Sequence, residues 1–354
     1  VLQQLKKQYP QHFVLVSFFS PSGYEACKNH PIPDRVVYLP MDHPQNSAQW
    51  IQQVNPALVI FVKYEFWYYY LLTLHQQKIP VLLISAIFRE HQLFFHWYGS
   101  FYRKMLPFFT HILVQNKASA KLLQSINIAE SVTITGDTRF DRVLDIAGNP
   151  IAYPAIEHFI QNKPVLIAGS TWPEDDKELQ HFVNHHPHIQ MILVPHQIDA
   201  DSIRQCTAIF PGAVCYSDYE KDWQHSKTYS GTNKLIINRI GMLSSLYNYA
   251  AVVYVGGGFG AEGVHNVLEA TIYGKPVVIG PEYAKYQEVT QLVAQAGIEA
   301  VTTAQELNNR LQYFFENEEA CAAMGKKAKA FTLAQTGATQ KVMQLIQENR
   351  LLTN

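Results

Sequence analysis

The densest chemistry-bearing stretch runs from Val252-Val253-Tyr254-Val255 through Gly256-Gly257-Gly258-Phe259-Gly260 to Gly263-Val264-His265-Asn266-Val267-Leu268-Glu269. An apolar run, a glycine turn and a helical pattern make a strand-turn-helix, with the helix expected to end at Gly274 before Lys275-Pro276. Glycines let a ligand approach the backbone, and a helix start offers unpaired N–H groups and a positive dipole end to a phosphate. Asn266 and Glu269 are three apart, so on a helix both face the same way. A carboxylate there can accept both hydroxyls of a ribose while the amides around Gly257 and Gly258 hold the phosphate. The alternative is a plain strand-turn-helix in which Asn266 is only a cap. Gly258, Gly260 and Gly263 also satisfy the G-x-G-x-x-G dinucleotide fingerprint. That reading needs an acid at the end of the next strand, and Val277-Val278-Ile279 runs instead into Gly280-Pro281.

Two further sites follow apolar runs. Ser170 and Thr171 come directly after 165–168, where their hydroxyls can bond a phosphate or a sugar acid. They can equally cap a helix that has Pro173 in its first turn. Glu65 comes after 58–62 and can orient a hydroxyl or take its proton, or else pair with Lys63 or an arginine. His185-His186-Pro187-His188 lacks accompanying Cys or closely spaced acids and reads as a surface loop, so no metal is expected. The four cysteines are far apart without CxxC spacing, which suggests neither a disulfide framework nor a zinc site.

The elements that must position these groups form two series. Apolar runs at 13–19, 36–39, 58–62, 81–84, 112–114 and 132–135 alternate with amphipathic segments, the mark of a parallel sheet buried on both faces. The pattern restarts at 165–168, 189–194, 234–237, 252–255 and 277–279. A chain of 354 residues is long enough for two such cores. The boundary is expected near 142–160, giving domains 1–147 and 148–354, with a cleft between them and a final helix over about 339–352 that can pack back on the first domain. Ligands of open parallel sheets bind beyond the carboxyl ends of the strands, which is where all these candidates fall.

With 28 basic and 29 acidic residues the net charge is -1, so nothing global draws the chain to nucleic acid. Aromatic residues crowd 61–109, with Arg89, Arg103 and Lys104 among them. They read either as a membrane interface or as ordinary core with a few exposed rings.

The segments above, in order, resemble the transferases that move Kdo from CMP-Kdo onto the lipid A precursor. His265-Asn266-Val267-Leu268-Glu269 and Gly274-Lys275-Pro276-Val277-Val278-Ile279-Gly280-Pro281 are similar to that family's H-N-P-L-E and G-x-P-V-x-x-G-P. Phe18-Phe19-Ser20-Pro21-Ser22-Gly23 resembles its T-T-x-T-x-T-G loop, and Tyr38-Leu39-Pro40-Met41-Asp42 its Y-L-P-x-D. Val62-Lys63-Tyr64-Glu65-Phe66-Trp67 resembles its E-T-E-L-W, and Thr135-Gly136-Asp137-Thr138-Arg139-Phe140-Asp141 its T-G-N-x-K-F-D. The chain departs at three places. His196 in Pro195-His196-Gln197 replaces the Arg of P-R-H, Asn238-Arg239-Ile240-Gly241-Met242-Leu243 stands in place of D-x-M-G-E-L and loses an acid, and Ile87 replaces an Arg for which Arg89 stands nearby.

The resemblance implies a GT-B fold of two Rossmann-like domains and an inverting glycosyltransferase without a cofactor. It implies donor contacts at Ser170, Thr171, Pro195, His196, Ile240, Gly241, Met242, Gly257, Gly258, Asn266, Val267, Leu268 and Glu269. Acceptor-side contacts are implied at Ser20, Ser22, Gly23, Asp42, Arg89 and Arg139, with Glu65 in a supporting catalytic role. The family's general base, in an S-x-G-E motif, is expected upstream of Val1, because Val1-Leu2-Gln3-Gln4-Leu5 reads as the middle of a helix in an N-terminally truncated chain. The implied partners are CMP-Kdo, the lipid A precursor and the cytoplasmic face of the bacterial inner membrane. The competing readings are a GT-B transferase or epimerase using a UDP-sugar, and a catalytically dead binding homologue.

Overall fold

The computed structural model describes residues 1–224 and 231–353. The chain forms two compact units, one of Val1–Asp141 with Gln335–Asn354 and one of Arg142–Ala334. The sequence pattern puts the change at Gly148, where the helix Thr138–Gly148 ends, but the packing divides inside that helix. The final segment belongs to the first unit. Punctuation by Gly and Pro marks where an element stops, whereas a unit is bounded by what its side chains touch.

In the first unit β1 (Leu15–Phe18) pairs with β2 (Arg35–Tyr38) in a two-stranded parallel sheet. Strands β3 (Val59–Val62), β4 (Val81–Ala86), β5 (His111–Val114) and β6 (Val132–Ile134) form a second parallel sheet in that order. The six predicted strands therefore divide between two sheets. β4 is buried at all six positions and alternates its contacts. Val81 and Leu83 pack with Ile51, Tyr70, Leu71, Phe88 and Phe109, while Leu82 and Ile84 pack with Leu5, Tyr9, Val342, Met343 and Ile346. Period-two burial on both faces is why the run is apolar throughout. The second face is covered by the helices Leu2–Gln8 and Ala338–Glu348. Asp141 fixes the start of the latter, its carboxylate accepting from Gly337 N at 2.5 Å and Thr339 N at 2.6 Å.

In the second unit seven parallel strands lie in one sheet. They are β7 (Val165–Thr171), β8 (Gln190–Pro195), β9 (Val214–Cys215), β10 (Lys234–Ile236), β11 (Val252–Val255), β12 (Val277–Ile279) and β13 (Glu299–Ala300). The order is β13-β12-β11-β7-β8-β10-β9. From central β7 the chain builds outward through β8 to one edge, then returns to β11 and builds to the other. The strand order thus reverses between the neighbours β7 and β11, and their carboxyl ends open a crevice at that switch point. The edge strands β9 and β13 have two residues each, too few to show a period in the sequence.

Candidate functional site

The crevice is built around one buried carboxylate. Asp175 lies in the first turn of the helix Pro173–His185 that follows β7, and it is fully buried. Its Oδ1 accepts from Tyr254 Oη at 2.6 Å and its Oδ2 from Gly257 N at 2.7 Å and Trp172 N at 2.9 Å. A longer contact reaches Phe259 N at 3.4 Å. Four donors and a helix N-terminus together offset the cost of burying this charge. The carboxylate thereby ties the helix after β7 to the glycine turn after β11.

The turn needs its glycines for packing. Gly257 has φ +90°, and a Cβ there would stand 2.4 Å from Gly263 O. Gly258 presses on Gly280, where a Cβ would stand 2.7 Å from backbone atoms. The expectation that these amides hold a phosphate is corrected at Gly257, whose N–H is taken by Asp175. The expected helix is also shorter. Only Leu268–Thr271 is helical, a single turn with little dipole to offer, and His265 and Asn266 precede it.

Asn266 and Glu269 nevertheless meet as their spacing suggests, with Asn266 Nδ2 donating to Glu269 Oε1 at 3.0 Å. Asn266 is exposed and Glu269 half-buried. Burial raises the Glu269 carboxyl above its ordinary pKa, opposed by the Asn266 hydrogen bond and the Arg142 charge. Beside this pair three rings collect. Trp172 Nε1 donates to His265 Nε2 at 2.9 Å, and His196 stacks with its centroid 4.9 Å from Trp172 and 4.3 Å from His265. No sequence reading named Trp172 or Asp175. The acidic first turn of Trp172-Pro173-Glu174-Asp175 was the available signal, since it marks a helix start with an N3 carboxylate.

The other donor-side candidates divide by exposure. Ser170 has φ +55°, and the carbonyl of buried Thr171 accepts from His196 N at 2.9 Å, which aligns the ends of β7 and β8. Thr171 and Pro195 line a groove of about 360 Å³ with Trp172, Gln197 and Ser202, whose wall also carries Glu174, Asp176, Asp199 and Asp201. Met242, Val267 and Leu268 are core side chains, so only their backbone is available to a ligand. Ile240 is 84% exposed, and Gly241 at φ +87° makes the turn beyond it.

In the first unit the acceptor-side candidates are mostly engaged locally. The Asp42 carboxylate caps the helix Tyr68–Gln76, accepting from Tyr69 N at 3.1 Å and Tyr70 N at 3.2 Å. Arg139 Nε donates to Asp137 at 2.8 Å. The Ser20 and Ser22 hydroxyls bond each other at 2.7 Å, and Gly23 leaves room for the Phe18 ring, which a Cβ would meet at 2.8 Å. Arg89 is exposed, and its backbone N donates to Gln92 at 3.0 Å. Glu65 is exposed and accepts from the Trp67 indole.

The aromatic residues divide between core and surface. Phe66, Phe88, Phe94 and Phe109 interlock in the core, while Trp97 is 89% exposed and Tyr98 and Phe101 also stand out. Arg103 is not a free surface cation, because its guanidinium donates to Phe94 O at 3.0 Å and His96 O at 2.8 Å. His185 bonds the His181 carbonyl at 2.7 Å, and no metal-holding group of side chains occurs among the described residues. Among them, too, no helix is long and apolar enough to cross a membrane.

Two parallel-sheet units with a switch-point crevice in the second define a GT-B protein, and solved structures agree. A UDP-N-acetylglucosamine 2-epimerase superposes with TM-score 0.66 at 14% identity, covering 100% of this chain and 92% of that one. The UDP-GlcNAc 2-epimerase of Neisseria meningitidis, bound to UDP-GlcNAc, gives 0.65 at 14%, covering 98% and 95%. At such identity the likeness concerns the fold. Residues 1–142 match the family model described as 3-Deoxy-D-manno-octulosonic-acid transferase (kdotransferase). The 3-deoxy-D-manno-octulosonic acid transferase of Haemophilus influenzae is 23% identical across 98% of this chain and 82% of its own length. That of Bordetella pertussis is 25% identical across 88% and 74%. The first 142 residues thus match the Kdo transferase family model, and most of the chain is similar to named Kdo transferases.

One acid beside the site sets a pH dependence of stability. Burial pushes the Asp176 carboxyl from 3.8 up to about 6, against the pull of the Cys206 thiol, which donates to it at 3.4 Å. A carboxyl raised in the folded state contributes stability below its unfolded pKa that is lost as pH climbs through the folded one. Asp176→Asn removes that dependence. The variant's stability relative to wild type should therefore rise between pH 4 and pH 7 by roughly 2–3 kcal/mol. Urea melts across this range measure it, and a pH-independent difference would show that Asp176 does not titrate as described.

Proposed function

We propose that the protein transfers Kdo from CMP-Kdo to a lipid A precursor, the donor binding at the switch point of the second unit and the acceptor on the first. The relatives' names supply the sugar. The observation that carries the donor site is the Asn266–Glu269 pair beside the ring cluster at the ends of β7, β8 and β11. Glu269 is the group for the ribose hydroxyls, with Asn266 holding its orientation.

In the reaction an acceptor hydroxyl oxygen attacks the anomeric carbon of Kdo. A carboxylate base takes the hydroxyl proton as the new C–O bond forms. The bond from that carbon to the phosphate oxygen breaks, its electron pair leaving with CMP and the configuration inverting. Glu65, exposed near the end of β3 and held by Trp67, orients the acceptor. Donors around the crevice stabilise the charge on the departing phosphate.

Glu269→Ala tests the donor site. Calorimetry should show CMP affinity reduced by about tenfold or more in a folded variant, on the scale of losing a charged hydrogen-bond partner. CMP should also raise the wild-type melting temperature where UDP does not. Unchanged CMP affinity in Glu269→Ala would remove this site, and stabilisation by UDP alone would favour a UDP-sugar enzyme.

The acceptor implies work at the cytoplasmic face of the inner membrane, for which the exposed Trp97, Tyr98 and Phe101 with neighbouring Lys104 provide a surface. Ring insertion and attraction to anionic headgroups add, so flotation with anionic vesicles should weaken in Trp97→Ala and at high salt. Arg103 is unsuited to this test because it holds its own segment together. Indifference of the wild-type chain to anionic vesicles at every salt concentration would rule the surface out.

A further inference from the structure

Trp172 and His265 reach the crevice from different strands, one after β7 and the other after the glycine turn that follows β11. Their rings are within 17° of parallel with centroids 6.4 Å apart, so they meet edge to edge through the indole hydrogen bond at 2.9 Å. His196 lies against both, tilted 26° from Trp172 and 14° from His265. The geometry settles where a proton is. An indole N–H only donates, so His265 Nε2 must carry a lone pair, and a neutral imidazole then bears its proton on Nδ1. Among the described residues no acceptor meets that Nδ1–H. The residue itself is held in place. His265 N donates to Gly256 O at 3.0 Å, and the ring edge lies where a Cβ on Gly257 would stand 2.9 Å away.

Resting on the donor site assigned above, we propose that Trp172 is a positioning residue that locks His265 as its neutral Nδ1–H tautomer, leaving that N–H to donate to an anionic oxygen of the bound nucleotide. Protonating His265 would cost it the Trp172 bond and place a cation in a half-buried site. Its surroundings act in the same sense. Burial first, then the neighbouring His196 and Lys285, lower the His265 pKa, against Asp175 and Glu262, which raise it. These groups come from the end of β8, the segment after β12, the helix after β7 and the glycine turn. A neutral donor serves a leaving phosphate by orientation alone, without a proton changing hands. Where the family resemblance expects an arginine, His196 supplies a flat ring that stacks on both partners of the lock.

Nitrogen-15 NMR of the histidine side chains distinguishes the two neutral tautomers and the imidazolium, with a His265→Asn difference spectrum assigning the signal. At pH 7.5 wild-type His265 should be neutral with its proton on Nδ1. Trp172→Phe keeps a ring against His196 but removes the donor. It should lose the single tautomer, titrate at higher pH and bind CMP about fivefold more weakly, the scale of one hydrogen bond. His196→Ala should keep the Nδ1–H form, because the lock is the indole bond and not the stack. A wild-type proton on Nε2, or Trp172→Phe with tautomer and CMP affinity both unchanged, would overturn the proposal. The wild-type spectrum decides the tautomer even if a variant does not fold. Failure of the folded wild-type protein to bind CMP, with the Nδ1–H form intact, would sink the donor-site reading while upholding the lock.

Discussion

The carboxylate of Asp175 is the contact on which the second unit's crevice depends. One residue in the first turn of the helix after β7 receives a phenol from β11, an amide from the glycine turn and an amide from its own helix start. Hydrogen bonds to a buried charge are strong, and removing the charge would leave several buried donors without partners. The same bonds that make burial tolerable also fix the distance between two loops that are 82 residues apart for the Gly257 contact. The groups proposed to hold the nucleotide depend on those two loops. Trp172 precedes Asp175 by three residues, and His265 follows the turn that Asp175 holds.

The two units solve different problems with similar sheets. In the first, the helix Ala338–Glu348 closes one face of β4 and is anchored by Asp141 at its start. In the second, the sheet extends to seven strands and opens its crevice at the reversal of strand order. Several motif residues that look like ligand contacts serve the fold. Asp42 caps a helix, Asp141 fixes another, and Met242, Val267 and Leu268 fill the core. A motif can persist because a scaffold needs it as well as because a substrate does.

Most of the fold was legible because burial on both faces writes itself into composition. Runs such as 81–84 and 252–255 are apolar at every position, and only a covered parallel strand or a buried helix tolerates that. What was not legible is long-range. The partner of Asp175 across the sheet and the ring that completes His265 are set by topology, which local periodicity does not encode. The Asn266–Glu269 pair was read correctly as a pair for an incomplete reason, since the two residues meet at the entry to a one-turn helix rather than along a long one. The phosphate role of the glycine-turn amides failed at Gly257 because a side chain from elsewhere took that N–H first.

Whether this carboxylate builds the ligand crevice is tested by Asp175→Asn, which keeps the shape and removes the charge. Calorimetry with CMP and hydrogen exchange of the amides in 256–263 would be read on the same folded sample. The expected result is faster exchange in that turn, undisturbed exchange in β3 to β6, and CMP affinity lowered by about tenfold or more. Faster exchange of the turn with wild-type CMP affinity would contradict it, because the nucleotide would then be bound by something the carboxylate does not hold.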